Sequence, residues 1–261
     1  MKLACQENMV PGGTLEEKVA NLERFGYQGL EVWGSGLPDR VPDINRALRG
    51  SSIKVSTICA GYRGAWLEAA REQRELAIND SKDLLSAGAD LGAVGMIMVP
   101  IFGSPRLPDL SPYRTAVQLE RDLLLTLLDD VGQHAARVEC AVLVEPLNRY
   151  ETHFLNRLEQ ATDIVRELGN PWVRIMADFF HMSIEERDIP AALRQAGDQV
   201  WHIHLADSTR QLPGYGHTDF AAGFAALKEI GFDKYLAMEC GIPGDPFLEL
   251  PKSAAYLKQF I

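Results

Sequence analysis

The sequence of 261 residues is poor in several features that would assign it quickly. It has four cysteines and no Cys-x-x-Cys pair, so nothing in it resembles a thiolate zinc module. Cys5, Cys59, Cys140 and Cys240 each fall in or beside an apolar run, where a free thiol behaves as a small hydrophobe. Reduced thiols and a cytoplasmic location are therefore expected. No apolar run approaches the ~20 residues that a membrane-spanning helix needs. The first residues carry one Lys before a short apolar patch and no long apolar core, so neither an export signal nor a membrane partner is expected. Basic residues are outnumbered, 26 Lys and Arg against 36 Asp and Glu; the net charge of −10 argues against a nucleic-acid surface. No G-x-G-x-x-G follows the first strand, since Pro11-Gly12-Gly13 lies past a loop and does not fit it. Neither a Lys/Arg cluster nor a Gly-rich helix start marks a phosphate pocket, which points to an unphosphorylated substrate.

What is present is an alternation. Hydrophobic residues make up 46% and charged residues 24%, the composition of a folded globular chain. Short apolar runs rich in Val, Ile and Leu read as strands buried on both faces, and helical patterns separate them. Thr14 and Glu17 form a capping box before Leu15, Val19, Leu22 and Phe25, which recur at helical spacing, and Gly26 ends that helix. The same reasoning predicts a short helix over Pro42–Arg49. It predicts another whose first turn holds Pro112 with Ser111 as its cap, one over Ile189–Ala196 and a last one over Phe247–Phe260. Eight strand candidates alternating with helices predict one (β/α)8 barrel domain over residues 1–261; a doubly wound open sheet is disfavoured by the missing glycine fingerprint.

Four successive strand candidates end in the same way. Ala141-Val142-Leu143-Val144 runs into Glu145, and Pro146, which has no amide hydrogen, stops the ladder there. Val173 to Ala177 runs into Asp178, Val200 to Ile203 into His204, and Tyr235 to Met238 into Glu239. These tips are about 30 residues apart, the length of one βαβ step. A carboxylate at the end of a buried strand is costly to desolvate unless something positive meets it. In a parallel barrel all four tips lie on the C-terminal face, where barrel active sites are built. Three carboxylates and one imidazole there suit a divalent ion such as manganese or magnesium. His202 alternates with His204 on one strand face and is expected one layer lower. Glu31 ends strand two in the same manner and is a candidate to hydrogen-bond a liganding His from behind. Trp33, Tyr62, Trp66, Phe102 and Tyr113 are candidates for an apolar wall, and Pro100–Pro112 for a lid or an oligomer contact.

The strings Glu145-Pro-Leu-Asn-Arg-Tyr-Glu151, Asp178-Phe-Phe-His181, His202-Ile-His204 with Arg210 six residues on, and Met238-Glu239 resemble the xylose isomerase-like barrel superfamily. Within it they are most similar to the ketose 3-epimerases, the D-tagatose and D-psicose (allulose) 3-epimerase group. The resemblance implies metal ligands at Glu145, Asp178, His204 and Glu239, with Glu145 and Glu239 doubling as the catalytic acid/base pair. It implies substrate-hydroxyl contacts from Glu151, His181 and Arg210. It also implies a divalent metal (Mn2+ first, then Mg2+, Co2+ or Zn2+), a small-molecule sugar as substrate, and a homo-oligomer, dimer or tetramer. The chemistry agrees with such a pair, because inverting a carbon beside a ketone takes proton removal on one face and return on the other. The implied metal would bind the neighbouring oxygens and steady the negative charge that develops on them. The chain is shorter than typical ketose 3-epimerases, which leaves the sugar open.

Rival functions use the same platform. They are an aldose–ketose isomerase of the hydroxypyruvate isomerase type, which the Asn148-Arg149-Tyr150-Glu151 string disfavours, and an inosose-type dehydratase. An endonuclease IV-type repair enzyme would need more His ligands and a basic face than six His and a charge of −10 supply. A sugar-binding barrel without catalysis would have no use for an acid/base pair.

Overall fold

The computed structural model describes residues 1–261 and contains one closed, all-parallel barrel of eight strands in sequence order. The strands are β1 (Lys2–Gln6), β2 (Gly29–Trp33), β3 (Lys54–Cys59), β4 (Gly95–Met98), β5 (Ala141–Val144), β6 (Val173–Asp178), β7 (Val200–Leu205) and β8 (Tyr235–Met238). The helices are α1 (Leu15–Phe25), α2 (Leu37–Ala47), α3 (Arg71–Leu91), α4 (Ala116–Val138), α5 (Leu158–Leu168), α6 (Phe179–Glu185), α7 (Ile189–Ala196), α8 (Phe220–Glu229) and α9 (Pro246–Lys258). β1 pairs with β8 over Lys2–Cys5, which closes the ring. No helix is long and apolar enough to cross a membrane.

The two-residue period of a strand sorts the side chains. Val142, Val144, Ile175, Ala177, Leu236 and Met238 join the large core between sheet and helices. Their neighbours Ala141, Leu143 and Met176, with Ile97, form a separate small cluster, and so do Ala4, Tyr235 and Ala237. These residues fill the barrel interior. Continuing the alternation puts Gln6 above Ala4, Glu145 above Leu143, Asp178 above Met176 and Glu239 above Ala237. The apolar layers thus support a polar upper rim.

Local signals explain most boundaries. The Thr14–Glu17 capping box and the left-handed Gly26 bound α1 as expected, and Asp219 caps α8 through the N–H of Ala222. Two helical expectations need correction, and one helix was missed. α2 begins at Leu37, ahead of Pro42, with Pro38 in its first turn and Pro42 inside it. The missing N–H of Pro42 costs one ladder bond, which the buried Leu37, Ile44 and Ala47 outweigh. α4 begins at Ala116, not at Pro112: Leu110 donates its N–H to Arg114 O and closes a turn there. Thr115 then supplies the cap, with Gln118 completing the box. α6 was not expected from the sequence. Its seven residues are too few to show a helical period, and Asp178 itself is the cap.

Gly34 and Gly61 let the loops after β2 and β3 cross. A Cβ on Gly34 would lie 1.9 Å from Ala60 O, and one on Gly61 2.3 Å from Ser35 N.

Candidate active site

All four expected strand tips meet at one rim. The backbone N–H of Glu145 donates to Met98 O at 3.0 Å, so the β5 ladder reaches the residue before Pro146. Asp178 is the last residue of β6. Its Oδ1 accepts the N–H groups of Phe180 (2.7 Å) and His181 (3.3 Å), which satisfies the start of α6 and leaves Oδ2 for the rim. Oδ2 accepts from Arg210 at 2.7 Å and lies 3.8 Å from both His204 Nδ1 and His181 Nε2. His181 therefore belongs to the first turn of a helix, and not to a loop as its position past the strand suggests.

His181 has a defined tautomer. Its Nδ1 faces the backbone N–H of Asn148 at 3.3 Å and the Asn148 side-chain amide at 2.7 Å. Both are donors, so Nδ1 accepts and Nε2 carries the proton. That Nε2 lies 3.8 Å from Asp178 and 3.9 Å from Glu145. The Asn148 amide also donates to Glu151 at 2.9 Å, which ties Glu151 to the same edge of the site with its side chain half open to solvent.

His204 is wholly buried. Its Nε2 faces both Glu31 oxygens, at 3.0 and 3.1 Å. Its Nδ1 lies 3.2 Å from Glu239 Oε2, close enough for charge attraction but not aligned for a hydrogen bond, and so stays without a hydrogen-bond partner. Glu239 is held from three sides. Gln6 donates to Oε1 at 3.2 Å, Cys59 Sγ approaches the same oxygen at 3.8 Å, and Arg210 pairs with Oε2. Arg210 thereby bridges Asp178 and Glu239, with its guanidinium 4.7 Å from the Phe180 ring centre. Its backbone is left-handed (φ 56°), fixed by bonds to Asp207 O and from Gly241 N–H.

Behind the rim lies a buried polar trio. Glu31 accepts from His202 Nε2 at 2.8 Å and from Thr57 at 2.6 Å, in addition to His204 and Gln6. His202 thus sits one layer down, as the alternation predicts. Sequence reasoning missed Gln6, Thr57, Cys59 and the orienting role of Asn148. Gln6 and Cys59 end β1 and β3 just as the four tips end their strands, so the same rule applied there finds them. Thr57 carries no such signal.

Burial and charge act against each other here. Burial pushes the Glu145 carboxyl well above the usual carboxylate range. It would raise Glu239 too, but His204 and Arg210 outweigh it and bring that carboxyl down to about 2. Burial likewise opposes ionisation of Glu31, and the two imidazoles overcome it and hold Glu31 well below its ordinary value. The thiols of Cys5 and Cys59 are pushed well up by burial, and that of Cys140 to about 12, as inert packing groups.

The residues present fit a divalent cation. One buried imidazole nitrogen, His204 Nδ1, has no hydrogen-bond partner and faces two carboxylates, while its other nitrogen is fixed by Glu31. Ligand atoms of Asp178, His204 and Glu239 lie within 4.8 Å of one another, and so do those of Glu145, Asp178 and His181. Three hard oxygens and one nitrogen suit manganese, magnesium or a similar ion.

Of the five aromatic candidates, Tyr62, Trp66 and Phe102 gather in one cleft beside the rim, with a cavity of about 280 Å³. Trp33 and Tyr113 do not line it.

The sequence model of the xylose isomerase-like TIM barrel family matches residues 19–260. A 3-dehydro-D-guloside 4-epimerase of Escherichia coli (strain K12) is 31% identical over 262 residues, covering 99% of both chains. The solved structure of a 3-keto-D-glucoside 4-epimerase from E. coli superposes with a TM-score of 0.91 at 30% identity, again over 99% of both chains. A D-psicose 3-epimerase of Enterocloster bolteae is 44% identical over 112 residues, 43% of this chain and 37% of that protein.

Proposed function

The chain belongs to the xylose isomerase-like TIM barrel family and, like its sugar-epimerase relatives, is an isomerase; on that premise we propose that it inverts a sugar carbon next to a ketone, with a divalent metal. The observation that carries this reading is the convergence of Glu145 and Glu239, from β5 and β8, on a rim where His204 Nδ1 stands unpaired between carboxylates. Glu145, Asp178, His204 and Glu239 would hold the metal. When bound, it polarises the ketone and steadies the negative charge that develops on the substrate oxygens.

The protein's own groups do the rest. One glutamate takes the proton from the carbon beside the ketone, and the electron pair passes into an enediolate. The other glutamate gives a proton to the opposite face, and the two exchange roles in the reverse direction. Gln6 and Arg210 fix the two oxygens of Glu239, which limits where it can reach. His181 presents an Nε2–H towards Glu145 and Asp178, where a substrate hydroxyl or oxyanion can accept it. Arg210, which bridges Asp178 and Glu239, and Glu151, half open to solvent at the same edge, would hold further hydroxyls.

A 3-keto-hexoside inverted at C4 is the substrate best supported, since the guloside 4-epimerase matches the chain from end to end. A free ketose inverted at C3 is the second reading. The high identity of the D-psicose 3-epimerase over 112 residues favours it. NMR in deuterated water with Mn2+ separates them. Exchange and inversion at C4 of a methyl 3-keto-glucoside is the expected result, and inversion only at C3 of free ketoses would replace it with the second reading. No exchange at either carbon, or full exchange by Glu239→Gln, would end the proposal.

A further inference from the structure

We propose that the cleft between the β3–α3 and β4–α4 loops is a subsite for an apolar aglycone, so that the substrate carries a ring or alkyl group on its glycosidic oxygen. This rests on the epimerase reading above and adds the chemistry of the part of the substrate that does not react.

The first argument is position. The cleft begins at Ala60 on one side and at Val99 on the other. Ala60 follows Cys59, whose thiol touches Glu239, and Val99 follows Met98, whose carbonyl receives the N–H of Glu145. The two walls therefore rise from strand ends that touch the two proposed acid/base residues. The cleft thus opens one residue beyond those strand ends, next to where a sugar between the two glutamates would lie.

The second argument is chemistry. Tyr62, Trp66, Leu67, Ile101 and Phe102 dominate the lining, with Glu68 and Arg106 as its only ionised groups. The Tyr62 hydroxyl is already committed to Val99 O at 3.0 Å. A free ketose has a hydroxyl on nearly every carbon, and pressing those against such a wall strips their water without replacing it. An apolar aglycone has nothing to lose there. Trp66 is 1% exposed and backs the cleft as a fixed apolar wall. Phe102, by contrast, is 57% exposed and so has a large apolar face still uncovered.

The third argument is that the wall is fixed in advance. Gly103 N–H donates to Glu151 O at 2.7 Å, and His153 N–H donates back to Gly103 O at 3.1 Å. Arg106 N–H donates to the fully buried Glu120 at 3.0 Å, and the same carboxylate takes His153 Nε2 at 2.6 Å. Phe102 therefore stands on an anchored loop, and little ordering entropy remains to be lost on binding. At about 280 Å³ the cleft is near the small end of ligand pockets, the size for one ring with the sugar outside it.

The test compares methyl and phenyl 3-keto-glucosides with the Mn2+-loaded enzyme, following deuterium exchange next to the ketone. The expected kcat/KM for the phenyl compound is about 10- to 100-fold higher, the range one apolar group commonly earns in a fitted pocket. Phe102→Ser should shrink that ratio to below about threefold while far-UV circular dichroism stays that of the parent. A second readout needs no turnover: saturation-transfer NMR with unreactive phenyl glucoside should show the phenyl protons receiving the saturation, and Phe102→Ser should abolish it. Equal rates for the two compounds, or saturation received by the sugar protons alone, would overturn the subsite while leaving the epimerase reading intact. Absence of exchange with both compounds strikes that reading instead, and the saturation-transfer result then decides the subsite by itself.

Discussion

Glu31 receives the Nε2 edge of His204 at 3.0 Å, and this contact decides that Nδ1 is the atom His204 turns towards Asp178 and Glu239. The carboxylate is fully buried and is itself held by Thr57 and His202. Removing its charge should loosen the ring and reduce its basicity. Glu31→Gln is expected to weaken Mn2+ binding by about 10- to 100-fold, as measured by titration calorimetry. An unchanged dissociation constant would show that the orientation of His204 is set elsewhere.

Metal should stabilise the fold as well as activate the site, because buried carboxylates gain a partner only in the folded state. At a free Mn2+ concentration 100 times the dissociation constant, about 2.7 kcal/mol of added stability is expected, visible as a higher melting temperature. Chelation should remove both that gain and the activity, and Mn2+ should restore both. His204→Ala should remove the thermal shift. A melting temperature indifferent to Mn2+ in the parent protein would count against the four-residue ligand set.

Asp207 organises the loop that carries Arg210. It accepts N–H groups from Ser208 (2.8 Å), Gly214 (2.9 Å) and Thr218 (3.0 Å), and Gly216 packs so closely on it that a Cβ there would lie 2.3 Å from Oδ1. The Gly214–His217 turn thus wraps a carboxylate. Burial would raise the Asp207 carboxyl, and the three backbone donors outweigh it and hold it below its ordinary value. A depressed folded-state value contributes stability above the unfolded value near pH 3.9, which is lost as pH falls through the folded value. Asp207→Ala should cost about 1–3 kcal/mol at pH 7 in urea unfolding, because buried donors lose their acceptor. The difference from the parent should narrow in strong acid, and a difference that widens there would contradict this sign.

Gly34→Ala should be far worse than an ordinary surface change. The new Cβ meets backbone, Ala60 O at 1.9 Å, and backbone cannot move aside as a flexible side chain would. A loss of about 1–3 kcal/mol or more is expected from thermal melts, the range for overpacking a tight contact. Gly34 is not left-handed, so the loss reports the contact and not backbone strain.

Much of the site was legible before folding. Glu145 and Glu239 directly follow buried strands, and Asp178 and His204 lie at the ends of theirs; the period of two sends each to the barrel interior, three of them above an apolar neighbour and His204 above His202. His202 was placed correctly for the same reason. α6 and the start of α4 were not legible. Seven residues show no helical period, and two successive candidates, Ser111-Pro112 and Thr115 with Gln118, both look like helix starts. The second starts the helix because Gln118 reaches back to the Thr115 N–H and completes a reciprocal cap.

By itself the sequence determined the alternation of strand and helix, the parallel barrel that follows from it, and the polar residues at the strand ends. Those are local properties, written in hydrophobic period and in where a proline or a charge interrupts it. Glu31 backs His204 as the strand ends suggested, but only the tertiary structure decided that Gln6 touches Glu239 and that Glu31 meets both His202 and His204. It alone turned one oxygen of Asp178 to a helix and the other to Arg210. These pairs are far apart in the chain and become neighbours when β1 closes on β8, and no local pattern records which side chain will face which across a closed ring.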